Sequence, residues 1–360
     1  KKPRFKVLEN EISSQIELHR EYGGVVPQLA KREHLKNLPL IYKDILSDKE
    51  WEKIDAVAVT VGPGLEPALW TGINFAKEVA KVRKKTLLGA NHLEGHLYSP
   101  LISLKEKDKN IPLPAIGLVV SGGHTILLVL ESIDKWKKIG ETRDDAVGEA
   151  FDKVARLIDL PYPGGPEIQR EAELGDPTAV DLPRPMLDQK NYDFSFSGLK
   201  TAVLYDWKKR SERERTSESY IGEMAAEIQQ AVLDVLLHKT TKAVIRHEPK
   251  TVILGGGVAA EREAGPVRQR RRPGMAEAKG MRLGVLVCPS GIDVILRRHS
   301  TLMPSPPARR SRDRGPNRSQ SGGGNAVTAP VRWSRVHACH DRRGLSQSPG
   351  LSMDPGSSPG

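Results

Sequence analysis

Ala115-Ile116-Gly117-Leu118-Val119-Val120-Ser121-Gly122-Gly123-His124-Thr125-Ile126-Leu127-Leu128-Val129-Leu130 is two apolar, β-branched runs flanking a short polar interruption. Runs of this length and composition predict buried strands at Ala115–Val120 and Thr125–Leu130. Two adjacent glycines between them allow a tight turn. Such a turn is either an ordinary hairpin connection or a loop whose outward amides cradle a phosphate. Two more junctions of this kind lie elsewhere. Ile54–Val61 reads as a buried strand ending at Gly62-Pro63-Gly64, before a helix through Leu69, Ile73, Phe75, Ala76 and Val79. Strand, glycine turn and helix N-terminus together offer amides to an anion, though three such residues are equally a simple turn. Val252-Ile253-Leu254 then runs into Gly255-Gly256-Gly257. Strands interleaved with helical patterns give an α/β fold.

Upstream of the first junction, a short strand at Thr86–Leu88 delivers the chain to Asn91-His92-Leu93-Glu94-Gly95-His96-Leu97-Tyr98. Histidines four apart on a helix share a face, with about 6 Å between Cβ atoms. Two imidazoles so placed can hold one metal ion, which needs further ligands from elsewhere. Each is equally readable as a satisfied core or surface histidine. In zinc peptidases of the H-E-x-x-H type the general base directly follows the first histidine. Here Glu94 comes two residues after His92 and points to the other side of a regular helix, so a metallopeptidase fits poorly.

Downstream, Asp144 to Lys153 begins an acidic-start helix expected to continue to Leu160. Asp144 and Asp145 suit the positive end of that helix. Asp152 sits deeper, on the apolar side near Ala155 and Leu157, where a carboxylate needs a reason. Tyr162-Pro163-Gly164-Gly165-Pro166 reads as a rigid turn. Asp193 to Lys200 alternates aromatic and hydroxyl residues before a helix, and Ser217–His247 reads as one long amphipathic helix with Ile221, Met224, Ile228, Val232, Leu236 and Val244 on its stripe. At the start, residues 5–13 read as a strand, Gly23-Gly24 as a turn, and Val26–Leu46 as a helix kinked or divided at Pro39.

The chain has 360 residues, room for two domains and a sizeable core. No run approaches the length of a membrane span, and no signal peptide opens the sequence. Net charge is +11, but its location matters more than its size. Residues 261–360 carry 18 of the 56 Lys and Arg and 7 of the 45 Asp and Glu, so residues 1–260 hold 38 of each. That tail is rich in Arg, Pro, Ser and Gly, a disorder-type composition in which only Gly284–Cys288 and Ile292–Leu296 resemble strands. Both cysteines, Cys288 and Cys339, lie in it. A body without cysteine suits a reducing cytoplasm.

Collected in order, the segments Ser13-Ser14-Gln15 with Tyr22 to Pro27, Gly62 to Leu65, Asn91 to His96, Val120 to Thr125, Gly148 to Lys153, Tyr162 to Pro166, Asp193 to Lys200 and Gly255 to Ala260 resemble the tRNA threonylcarbamoyladenosine transferase family, TsaD in bacteria. The resemblance covers about residues 5–260. It implies the two-lobed actin-like, hexokinase-like ATPase fold. The first α/β lobe would be residues 1–110, the second 111–260, with 261–360 as a tail. The implied activity is transfer of a threonylcarbamoyl group from threonylcarbamoyl-adenylate to the N6 amine of an adenosine beside the tRNA anticodon. It implies His92 and His96 as ligands of one divalent metal, iron or alternatively zinc. It also implies that Val119, Val120, Ser121, Gly122 and Gly123 line the adenylate pocket, with Asp152 and Gly165 on its ribose or base side. Implied partners are tRNA, threonylcarbamoyl-adenylate and accessory proteins of the TsaB and TsaE type.

The sequence departs from the family pattern in three places. No opening strand with its acidic turn precedes Lys1, Glu261 replaces the asparagine after the G-G-V-x-A segment, and no C-T-D-N motif follows with the aspartate that serves as third metal ligand. Gln169 stands where some members have aspartate, and Asp293 is no secure replacement for the missing ligand. The expected fold is therefore incomplete at both ends, and the abrupt change at residue 261 is what an altered reading frame would give. A weakened metal site, and an inactive scaffold as the alternative to an enzyme, follow as expectations.

Overall fold

The computed structural model describes residues 7–102, 111–260 and 296–297. The chain enters through an irregular stretch and the short helix α1 (Ile16–Arg20), then α2 (Pro27–Ile45) and α3 (Asp48–Glu52). The described part of the strand expected at 5–13 is not one. Val7, Leu8 and Ile12 are 60, 59 and 78 % exposed, and no strand among the described residues pairs with them. Nor is α2 divided at Pro39. An internal proline costs a helix about 3 kcal/mol, and packing offsets it here: Tyr42 lies against Trp51 and Phe75 with ring centroids 5.3 and 5.9 Å apart.

Next come β1 (Ala56–Gly62), α4 (Glu66–Arg83) and β2 (Thr86–Asn91), a β-α-β unit whose two strands pair in parallel from Ala56↔Thr86 to Gly62↔Asn91. The sequence reading expected a buried strand here. Among the described residues this sheet has two strands, and β1 is half-buried to exposed. The register brings the C-terminal ends of both strands side by side, and the histidine helix α5 (His92–Ile102) starts directly from one of them.

The second sheet has the order β5-β4-β3-β6-β7, formed by β3 (Ala115–Val120), β4 (Thr125–Ser132), β5 (Lys135–Glu141), β6 (Thr251–Gly255) and β7 (Leu296–Arg297). Strands β3 and β4 form an antiparallel hairpin, while β3 and β6 run parallel. Every residue of β3 is buried, because both faces are covered. Ile116, Leu118 and Val120 join one cluster with α6 (Val147–Leu157), α7 (Gly164–Ala172), α8 (Ser197–Lys209) and, after the short α9 (Glu212–Arg215), the 30-residue α10 (Glu218–His247). Ala115 and Val119 face the other way, toward Leu97 of α5.

Two expected boundaries move. The rigid turn placed at Tyr162–Pro166 is in fact the start of α7, with Pro163 as its cap residue. Asp144 and Asp145 precede α6 rather than opening it. Of the tail, only Leu296–Arg297 lies within the described residues, paired antiparallel to Thr251–Val252; Gly284–Cys288, Asp293 and both cysteines lie outside them.

Candidate functional site

The Ser121-Gly122-Gly123-His124 turn closes on itself with two bonds, Ser121 N–H to the His124 carbonyl at 2.8 Å and His124 N–H to Ser121 Oγ at 3.1 Å. The Gly122 and Gly123 amides have no partner among the described residues, and a Cβ at either position would meet nothing within 4 Å. The turn is therefore open toward a ligand. Its other side is sealed: Gly148, in the first turn of α6, donates to the Ser121 carbonyl at 3.3 Å, and a Cβ there would stand 2.7 Å from Gly122 Cα. This brings the positive end of α6 against the open amides, the combination that attracts a phosphate. Val119 and Val120 lead into the turn with side chains in the core, so only their backbone can serve a ligand.

The glycines at the end of β6 lie against the same corner. Gly256 has φ +104°, and a Cβ on it would meet the Val120 carbonyl at 2.2 Å; one on Gly255 would meet the His96 carbonyl at 2.1 Å. Only glycine lets the end of β6 approach both the end of β3 and the histidine helix this closely.

Asp152 lies one turn beyond Gly148 on the same face of α6. Its Oδ1 accepts the Gly164 N–H at 2.7 Å, and Gly165 follows, buried, in the first turn of α7. Burial pushes the Asp152 carboxyl above the usual carboxylate range, with the Gly164 bond and nearby Arg156 opposing. A cavity of about 410 Å³ opens beside it, with Arg156, Tyr162 and Tyr22 among its lining residues.

His92 and His96 stand on one face of α5 with ring centroids 4.4 Å apart, and the His124 ring is 6.0 Å from His92. Burial, then the neighbouring His92 and His124, lower the His96 pKa to about 4; burial and His92 lower that of His124 as well. Uncharged imidazole is the form that binds metal, and the two imidazoles of His92 and His96 on one helical face are a donor pair that fits a divalent ion. Among the described residues no group of three His, Cys, Asp or Glu closes around one point. Glu94 turns away: it accepts the Trp136 indole N–H at 3.3 Å, which removes the general base a metallopeptidase would need.

Sequence reasoning missed the role of Asp144. Its carboxylate accepts Ser195 Oγ–H at 2.5 Å, Ser197 Oγ–H at 2.6 Å and the Phe196 and Ser197 amides at 2.8 and 3.3 Å. It caps α8, the helix that follows the alternating motif, rather than its own. That motif alternates because Phe194 and Phe196 are fully buried while the two serines turn back to Asp144.

The family model described as tRNA N6-adenosine threonylcarbamoyltransferase matches residues 6–273. The chain belongs to that family. The match runs past residue 260, where the sequence reading had ended the resemblance. The chain is 44 % identical over 268 residues to the tRNA N6-adenosine threonylcarbamoyltransferase of Syntrophomonas wolfei, covering 74 % of this chain and 77 % of that protein. It is 46 % identical over 257 residues to the protein of that name from Fervidobacterium nodosum, 71 % of this chain and 75 % of the relative. The Thermosipho melanesiensis protein, similarly named, is 47 % identical over 259 residues, covering 71 and 76 %. The mixed α/β architecture agrees with such a family, and no helix among the described residues is long and apolar enough to cross a membrane.

Proposed function

We propose that the chain transfers a threonylcarbamoyl group from threonylcarbamoyl-adenylate to the N6 amine of an adenosine beside the tRNA anticodon. The observation that carries this is one face of α6, on which Gly148, Asp152 and Arg156 recur every four residues. Each step is a rise of about 6 Å, close to the spacing of phosphate, ribose and base in a nucleotide. At the first position the Gly122 and Gly123 amides and the helix N-terminus take the phosphate. At the second, the Asp152 carboxylate accepts a ribose hydroxyl, its Oδ1 already oriented by Gly164.

In the reaction the adenosine N6 attacks the carbamoyl carbon, a C–N bond forms, the C–O bond to the phosphate breaks, and the N6 proton is lost. The leaving adenylate gains negative charge on its phosphate, where the open amides bind it more tightly than in the ground state. His92 and His96 are the residues to hold a divalent ion, iron or zinc. When bound, it supplies Lewis acidity toward the carbamoyl carbonyl. Accessory proteins of the TsaB and TsaE type, a two-lobed actin-like arrangement and a cytoplasmic location complete the proposal.

Incubation of the purified chain with unmodified tRNA, threonylcarbamoyl-adenylate, ferrous or zinc ion and accessory proteins tests it. Nucleoside digestion and mass spectrometry should reveal threonylcarbamoyladenosine. Absence of that nucleoside, together with no binding of ATP, would overturn the reading.

A further inference from the structure

Helix α8 opens beside the corner formed by the glycine turn and α6. Its first residue, Ser197, is bonded to Asp144, and Lys200 stands 3.8 Å from Asp145, just ahead of the start of α6. Leu199 and Val203 turn into the core. The opposite face carries Thr201, Tyr205, Lys208 and Lys209, all exposed, at the three- and four-residue spacings that share one side of a helix.

That face is positive and unpaired. Among the described residues neither Lys208 nor Lys209 meets a carboxylate. Asp206, the acid beside them in sequence, is taken by Arg210 at 3.2 Å and by the Tyr220 hydroxyl at 2.8 Å. Lysines in the last turn answer the helix dipole, which accounts for the two charges but not for the ring. Tyr205 is 61 % exposed, more than any other Tyr, Trp or Phe among the described residues, and none of their rings or cations lies against it. The exposed Trp70 of α4, by contrast, already has the Lys77 ammonium 5.7 Å from its ring centre. A bare ring one helical turn from two free ammoniums is a pairing that suits single-stranded nucleic acid: the ring stacks on a base and the charges hold phosphates.

We infer that this face of α8 is a docking surface for the anticodon loop of the tRNA, with Tyr205 stacked on a loop base and Lys208 and Lys209 on phosphates beyond it. The inference rests on the tRNA reading given above and adds where the RNA lies. To bring its N6 amine to the adenylate, the adenosine must leave the loop stack, which opens a stacking face on its neighbours. Tyr205 stands about 12 Å along α8 from Ser197, where such a base can be met.

The full chain is titrated with an unmodified tRNA anticodon stem-loop across a salt series, beside Tyr205→Ala, Tyr205→Phe and two double variants. One is Lys208→Ala with Lys209→Ala; the other, Lys77→Ala with Lys81→Ala, removes the same charge from the exposed side of α4. The arginine-rich segment 261–360 is common to all, so differences report on the helices. Tyr205→Ala should lose about tenfold in affinity at unchanged Tm, a typical effect of removing a stacking ring, while Tyr205→Phe should bind like the parent. The α8 double variant should flatten the dependence of log affinity on log salt by about 1.5, and the α4 double variant should leave it unchanged. Unchanged affinity in Tyr205→Ala, or an unchanged salt slope in the α8 variant, overturns the docking surface and leaves the tRNA reading standing. Equal effects of the two double variants mean that only net charge is felt, and overturn it as well. A parent chain that binds no RNA overturns the tRNA reading and this inference together.

Discussion

The backbone amide of Gly164 donates to the Asp152 carboxylate at 2.7 Å, fixing the start of α7 to the middle of α6. The same carboxylate is held above the usual carboxylate range, chiefly by burial. It accepts a ribose hydroxyl most strongly when ionised. ATP affinity should therefore fall as pH drops from neutral, with a midpoint above the ordinary aspartate value of about 3.9. Asp152→Asn should bind more weakly at neutral pH and lose that inflection, measured by calorimetry across the range. For stability the sign is opposite. A raised folded-state pKa favours the fold below the unfolded value, and that contribution is lost as pH rises through the folded one. Removing the charge therefore costs the fold nothing at neutral pH on ionisation grounds.

Two glycines in contact separate ligand binding from folding. At Gly122 a new Cβ meets open space, whereas at Gly148 it meets Gly122 Cα at 2.7 Å and the Ser121 carbonyl at 3.1 Å. Gly122→Val should leave Tm nearly unchanged while blocking approach to the amides, with ATP affinity lost by tenfold or more. Gly148→Ala should cost about 1–3 kcal/mol of stability through overpacking. Thermal unfolding and titration of both variants give the comparison; a Gly122→Val protein that binds ATP like the parent would show that the turn is only a hairpin connection.

Much of this corner was legible in the sequence because its signals are local. Ala115–Val120 and Thr125–Leu130 are apolar over the length of a strand, and two glycines between them mark a tight turn. The histidine pair needed only helical spacing. What failed depends on neighbours far along the chain. Nothing near Asp144 says that it will cap a helix starting at Ser197, since the contact is made only once β5 and α8 are packed. Residues 5–13 have the composition of a strand but, within the described part, no partner. Tyr162–Pro166 looked like a turn because glycine and proline usually end structure, whereas here Pro163 caps a helix and Gly164 permits its close approach to α6.

The buried ion pair between Arg184 and Glu227 was equally invisible, although it pins the segment before α8 onto α10. Their side chains are 2 and 0 % exposed, Arg184 also reaches Asp234 at 2.9 Å, and Glu227 accepts the Leu182 amide at 3.1 Å. Glu227→Ala leaves the buried Arg184 guanidinium with Asp234 as its remaining carboxylate and the Leu182 amide without its acceptor, and should cost about 3 kcal/mol. Replacing both Arg184 and Glu227 by methionine should recover part of that loss, because the buried guanidinium goes with its carboxylate and Asp234, partly exposed, keeps its bond from Gln230. Urea unfolding of parent, single and double variants measures it; a single variant as stable as the parent would mean that water reaches the site.

The last prediction concerns metal. His96 stays uncharged down to a pH of about 4, so protons do not compete for it near neutrality. Its ring and that of His92 lie 4.4 Å apart, while Glu94 is engaged by Trp136 and takes no part. Two imidazoles leave a divalent ion with open positions, and among the described residues no third donor closes them. A site of that kind should load when metal is in excess and empty on dialysis. His92→Ala and His96→Ala should each abolish loading, and Glu94→Gln should leave it intact. Elemental analysis before and after dialysis reads all four proteins side by side. Full retention by the dialysed parent would show that a further ligand completes the site, and loading unaffected by His96→Ala would place the metal elsewhere.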